Sequence, residues 1–69
     1  MKLSARNQFP GTVTKVTEGA VNSIVRIEAL GGNTISATIS NAAVEELGLK
    51  QGVDALAVIK ATSVMVGIN

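Results

Sequence analysis

From Val21 to Ala29 the chain alternates with a period of two: Val21, Ser23, Val25, Ile27 and Ala29 share one face, Asn22, Ile24, Arg26 and Glu28 the other. After Gly31-Gly32-Asn33, a hairpin signal, Ile35, Ala37 and Ile39 alternate with Thr34, Ser36 and Thr38. This stretch is committed to an antiparallel pair. Val, Ile and Thr supply 21 of the 69 residues, a β-branched enrichment that suits pleated, half-buried surfaces. A first strand is predicted from about Leu3 to Val16, bent or bulged at Pro10-Gly11 because proline donates no ladder hydrogen bond. Glu18-Gly19 marks the turn that follows it.

Ser40 ends the third strand's alternation, and residues 41–47 followed by Gly48 read as a short capped helix with Val44 and Leu47 on its apolar edge. Gln51-Gly52 turns into a fourth strand from Val53 to Lys60, and Val64 to Ile68 is predicted as a fifth after the Ala61-Thr62-Ser63 bend. The fold class is all-β with one short helix. Five strands with a helix between the third and fourth is the order of an oligonucleotide/oligosaccharide-binding (OB) barrel, and residues 1–69 form a single domain.

A domain this small buries only about 60% of its unfolded surface and usually needs a staple. There is no Cys for a disulfide, and no Cys or His for a zinc site. Oligomerisation is the remaining aid, and it agrees with a fourth strand whose two faces both look buried: Val53, Ala55, Ala57 and Ile59 on one, Leu56 and Val58 on the other. The chain is 46% hydrophobic, yet its longest apolar run, Ala55 to Ile59, is too short to span a bilayer. Its first residues are polar rather than signal-like, which predicts a cytoplasmic protein with no membrane association. Six basic and five acidic residues, net charge +1, are scattered along the chain, and Phe9 is the sole aromatic residue. A nucleic-acid binder of this size would combine a basic face with stacking platforms, so no nucleic-acid partner is expected.

Ordinary enzymology is also poorly served. Without His or Cys, and with Glu18, Glu28, Glu45, Glu46 and Asp54 forming no evident pair, no general acid, base or activated nucleophile stands out. Anion binding asks for less: fixed N–H and O–H donors, one or two cations, and no competing carboxylate. Ser4-Ala5-Arg6-Asn7-Gln8 and Val58-Ile59-Lys60-Ala61-Thr62-Ser63-Val64-Met65 each place one cation beside small hydrogen-bonding residues, with no acid inside either stretch. Ser4 and Ser40 add hydroxyls, and the N–H groups of residues 41 to 43 are expected as orphan donors at a helix start. Taken singly, Ser40 is an N-cap, Lys60 a strand-end lysine and Arg6 a surface arginine; the constellation is what points to an oxyanion.

These segments together resemble the Mop, or molbindin, family of small molybdate- and tungstate-binding proteins over essentially all 69 residues. The resemblance is carried by the Ser4-Ala5-Arg6-Asn7 opening, the Gly31-Gly32 hairpin and the Ile39-Ser40 lead into a helix ending Glu46-Leu47-Gly48-Leu49. It continues through the Lys60-Ala61-Thr62 bend before Val64-Met65. It implies a homohexamer, a trimer of dimers with exchanged N-terminal strands, that stores molybdate or tungstate without an organic cofactor and without side chains ligating a metal directly. Residue by residue, it implies that Ser4, Arg6, Lys60 and Ala61 of one subunit face Ser40 and Ala43 of another. Ala43 and Ala61 stand where some relatives carry a hydroxyl and so offer only backbone N–H groups. A possible second oxyanion site would use the backbone of Gly19, Ala20 and Val21. The alternative is an effector-sensing interaction module of a molybdate transport or regulatory system, against which the Met1 start and short termini weigh.

Overall fold

The computed structural model describes residues 4–69. Four strands, β1 (Asn7–Glu18), β2 (Asn22–Ala29), β3 (Thr34–Ser40) and β4 (Asp54–Ile59), form one antiparallel sheet in the order β3-β2-β1-β4, with a single helix, α1 (Asn41–Leu47), between β3 and β4. A 3-10 turn at Ala61–Ser63 follows β4. The edge strands β3 and β4 both send apolar residues into one cluster, where Val13, Val25, Ile27 and Ala57 are buried and Ile35, Ile39, Val44, Leu49 and Ala55 pack around them. Two opposite edges can reach one core only if the sheet curls.

Period-two alternation sets which side chains enter that core. Ser23, Val25, Ile27 and Ala29 are buried on β2, while Ile35, Ala37 and Ile39 are half-buried on β3. Val21, expected on the same buried face, is 71% exposed because β2 begins only at Asn22. On β1 the expected irregularity at Pro10-Gly11 gives way to a register shift between Val13 and Lys15. The reason is parity. An extra residue at Thr14 lets both Val13, paired with Ile27, and Val16, paired with Val25, face inward although they are three apart. Pro10 instead sits in the ladder opposite Leu56. Gly11 is where β1 passes from one neighbour to the other, pairing with both Ala29 and Ala55. A Cβ there would collide with the backbone carbonyl of Glu28, so the strands approach this closely only because the residue is glycine.

Helix α1 forms as its sequence predicts. Ser40 is extended (φ −65°, ψ 150°) and its Oγ accepts from the Ala43 N–H at 3.1 Å, while Gly48 closes the helix in the left-handed region at φ 66°. The fifth strand does not form within the chain. Residues 64–69 carry no strand pairing, and Met65, Val66 and Ile68 are each more than 90% exposed. Within the described residues the expected five-stranded barrel is a curled four-stranded sheet, whose edge strands β3 and β4 each keep one unpaired side. β1, like β2, is an interior strand, paired on both sides. Leu3, the expected start of β1, lies outside the described residues.

Candidate oxyanion site

The β1–β4 ladder brings the two terminal motifs together. Its last pair is Asn7 with Ile59, so Arg6 and Lys60, each the next residue outward, leave the sheet at the same end. Gln8 Nε2 donates to the Ala5 carbonyl at 2.6 Å and ties the approach to β1 into a local turn. On the other strand Lys60 is extended and begins the 3-10 turn, with Ser63 N–H donating to the Lys60 carbonyl at 2.9 Å. The Ala61 and Thr62 N–H groups, first in that turn, donate to nothing among the described residues. Ser4, Arg6, Lys60 and Ala61 are thus gathered at one end of the sheet, exposed except for their backbone ties. Two cations and free amides at the same end of the sheet favour an anion.

Ser40 and Ala43 are elsewhere. Asn22 pairs with Ser40 and Glu18 with Ser23, which puts the start of α1 at the far end of β1, beside the β1–β2 turn. Within one chain the six expected site residues therefore fall into two groups at opposite ends of a 12-residue strand. The donors of the second group also differ from expectation. Of residues 41 to 43, Asn41 N–H donates to the Val21 carbonyl at 2.8 Å and Ala43 N–H to Ser40 Oγ at 3.1 Å. Ala42 N–H alone of the three lacks an acceptor among the described residues, so of the expected orphan amides only Ala42 joins Ser40 as an available donor.

The Gly19–Val21 turn lies beside this group. Gly19 N–H donates across the turn to the Asn22 carbonyl at 2.9 Å, which leaves Ala20 and Val21 as its available amides. The turn and α1 are adjacent, joined by the Asn41 side chain, whose Nδ2 donates to the Gly19 carbonyl at 2.9 Å while its Oδ1 accepts from Ser23 Oγ at 2.5 Å. A sequence signal for this existed. Ser23 is the lone polar residue on the apolar face of β2, and a buried hydroxyl needs an internal partner.

This arrangement has close counterparts. The TOBE domain family matches residues 3–66. A protein of Haemophilus influenzae named "Probable molybdenum-pterin-binding protein" is 57% identical over 69 residues, the full length of both chains. The chain belongs to the Mop family of TOBE domains. Its Mop fold superimposes on MopII from Clostridium pasteurianum with a TM-score of 0.92 at 45% identity, covering 97% of this chain and 100% of that one. It also matches the cytoplasmic molybdate-binding protein ModG, solved with molybdate bound, with a TM-score of 0.95 at 46% identity, covering all of this chain and 49% of ModG. The relatives are binding proteins. Among the described residues of this Mop chain no helix is long and apolar enough to cross a membrane.

Proposed function

We propose that this Mop-family domain binds molybdate or tungstate as the free oxyanion, at sites completed between copies of itself, and serves as a cytoplasmic store of the anion rather than as an enzyme. The observation that carries the reading is the division of the donor set. Arg6, Lys60, Ala61 and Ser4 occupy one end of β1, Ser40 and the α1 amides the other, and neither half alone surrounds a tetrahedral dianion. A second copy supplies the other half.

The surface of the chain supports that assembly. It exposes 5526 Å², an excess on the order of 1,500 Å² over a compact folded monomer of 7.0 kDa. Its radius of gyration is 12.6 Å, against about 11 Å for a globule of this length. An excess of that size suffices for roughly two subunit contacts of standard extent. An apolar groove of about 780 Å³ runs between the two sheet edges, lined by Ile35 and Ile39 on one side and Ala55, Ala57 and Ile59 on the other. The exposed segment Val64–Ile68 of a neighbouring copy is its natural fifth strand, beside the exchange of N-terminal strands that the resemblance implies. The hexamer, a trimer of dimers, is the assembly proposed.

The choice of the bare oxyanion over a pterin follows from the chemistry available. A pterin ring calls for a stacking partner, and the single aromatic residue, Phe9, is 42% exposed on the sheet. The deciding experiment is elemental analysis and fluorescence of the purified protein after growth with molybdate or tungstate, followed by calorimetric competition. Molybdate and tungstate should displace each other. Phosphate should not, since its protonated form presents an O–H to a site built mainly of donors. Pterin fluorescence without stoichiometric metal, or equal binding of phosphate, would refute the proposal.

A further inference from the structure

Asn41 occupies a position that no other side chain among the described residues shares. Its backbone N–H donates to Val21, its Nδ2 donates to Gly19, and its Oδ1 accepts from Ser23, so three bonds from one residue join β2, the β1–β2 turn and the start of α1. The orientation of its amide is set by chemistry. Rotating it would turn Oδ1 toward the Gly19 carbonyl, setting two acceptors against each other. Ser23 is 1% exposed, so its hydroxyl has no water to turn to and holds the amide oxygen in place.

The available donors at this end of the sheet lie on the two segments that Asn41 joins: Ala20 and Val21 on the turn, Ser40 and Ala42 at the helix. Helix α1 has other restraints, namely its Ser40 cap, the Gly48 closure and the packing of Val44 on the core. Among the described residues the turn is held by its own Gly19-to-Asn22 bond, by the Asn41 backbone N–H on Val21 and by the Asn41 side chain on Gly19. We propose that Asn41 is a positioning residue, whose side-chain amide clamps the Gly19–Val21 turn against α1 and thereby fixes where the Ala20 and Val21 N–H groups are offered to an oxyanion. The second half of this statement rests on the proposed function, with the Gly19–Val21 turn as a second oxyanion site separate from the Lys60 site; the clamp itself does not.

The test uses the assembled protein and molybdate as the probe. Ser23→Ala removes the buried bond but leaves Asn41 bound to Gly19, whereas the double variant Ser23→Ala/Asn41→Ala removes the clamp without leaving a buried hydroxyl unpartnered. Hydrogen exchange at the Gly19 amide should be at wild-type rate in the first and about tenfold or more faster in the second. Asn41→Asp, which keeps an acceptor for Ser23 but loses the donor to Gly19, should speed that exchange as the double variant does. In molybdate titrations, the double variant should lose affinity by roughly ten- to a hundredfold, the range for removing the partners that orient an ion's ligands. That loss should fall on the binding that survives Lys60→Ala, while the Lys60-dependent binding keeps its affinity. Wild-type exchange at Gly19 in the double variant would overturn the clamp. An equal loss of both classes of binding would overturn the positioning role in favour of a general weakening of the fold. Wild-type protein that takes up no molybdate would overturn the proposed function and with it the binding half of this inference, while the exchange rates would still decide the clamp.

Discussion

Lys60 is the sharpest single-residue probe of the proposed site, because it lies one step beyond the last β1–β4 pair and no ladder bond depends on its side chain. A charge-assisted hydrogen bond contributes about 1.5 to 3 kcal/mol. Lys60→Ala should therefore weaken molybdate binding roughly ten- to a hundredfold by calorimetry, whereas Lys50→Ala, outside both terminal motifs, should not change it. Arg6 has two possible employments that the same measurement separates. If its guanidinium meets the anion, Arg6→Ala lowers affinity in an intact assembly; if it braces a neighbouring subunit, assembly and affinity fall together. Ser40 is different again, since its Oγ already accepts from Ala43. Ser40→Ala removes a cap worth about 1 kcal/mol and should lower the melting temperature by roughly 4–8 °C. Ser40→Thr, which retains a capping hydroxyl, should melt close to wild type. Equal melting of the two variants would show that the cap does not hold α1.

At the scale of elements, β1 does most to shape the sheet. Its first half pairs with β4 and its second half with β2, and the exchange of partners happens at Gly11 and Thr12. The close approach at Gly11 and the extra residue at Thr14 together let one strand serve two neighbours and still keep Val13 and Val16 inward. Gly11→Ala puts a methyl against the Glu28 carbonyl, a backbone atom that cannot swing aside. The expected cost is about 1–3 kcal/mol, as for overpacking elsewhere, seen as a lower melting temperature. Gly11 lies away from both groups of site residues, so the folded fraction should keep its molybdate stoichiometry. A variant of undiminished stability would show that β1 and β2 can separate there without loss.

At the scale of the whole molecule, the buried apolar set is small: Val13, Val25, Ile27, Ala29 and Ala57 among the described residues. A core of that size, with 46% of the chain hydrophobic, leaves much apolar surface to be covered by association. Sedimentation should accordingly find an oligomer and no folded monomer at micromolar concentration. Two variants locate the contacts. Truncation after Ser63 removes Met65, Val66 and Ile68, and should reduce the size of the particle and abolish molybdate binding together. Val58, 44% exposed on the outer face of β4, becomes an unpaired buried charge in Val58→Asp if that face meets a neighbour, and the assembly should disperse. An unchanged particle from Val58→Asp would place that face in solvent; an unchanged particle from the truncation would remove the C-terminal segment from the interface.

What the sequence determined by itself is what depends on near neighbours along the chain. Alternation specified β2 and β3, Ser40 and Gly48 bounded α1 within a residue, and the pairing of cations with small polar residues marked Arg6 and Lys60 before any geometry was known. Those signals are local because a strand's faces, a helix cap and a turn are each settled within a few residues. Tertiary structure decided the rest. The bulge moved from Pro10-Gly11 to Thr14 because parity must match two different partner strands at once, which no single strand encodes. Of the donors expected from sequence, Asn41, Ala43 and Gly19 are engaged, with Val21, Ser40 and Asn22, and Ala42, Ala20 and Val21 remain available. Val64–Ile68 has the composition of a strand and forms none among the described residues, since β propensity is realised only through packing against neighbouring strands.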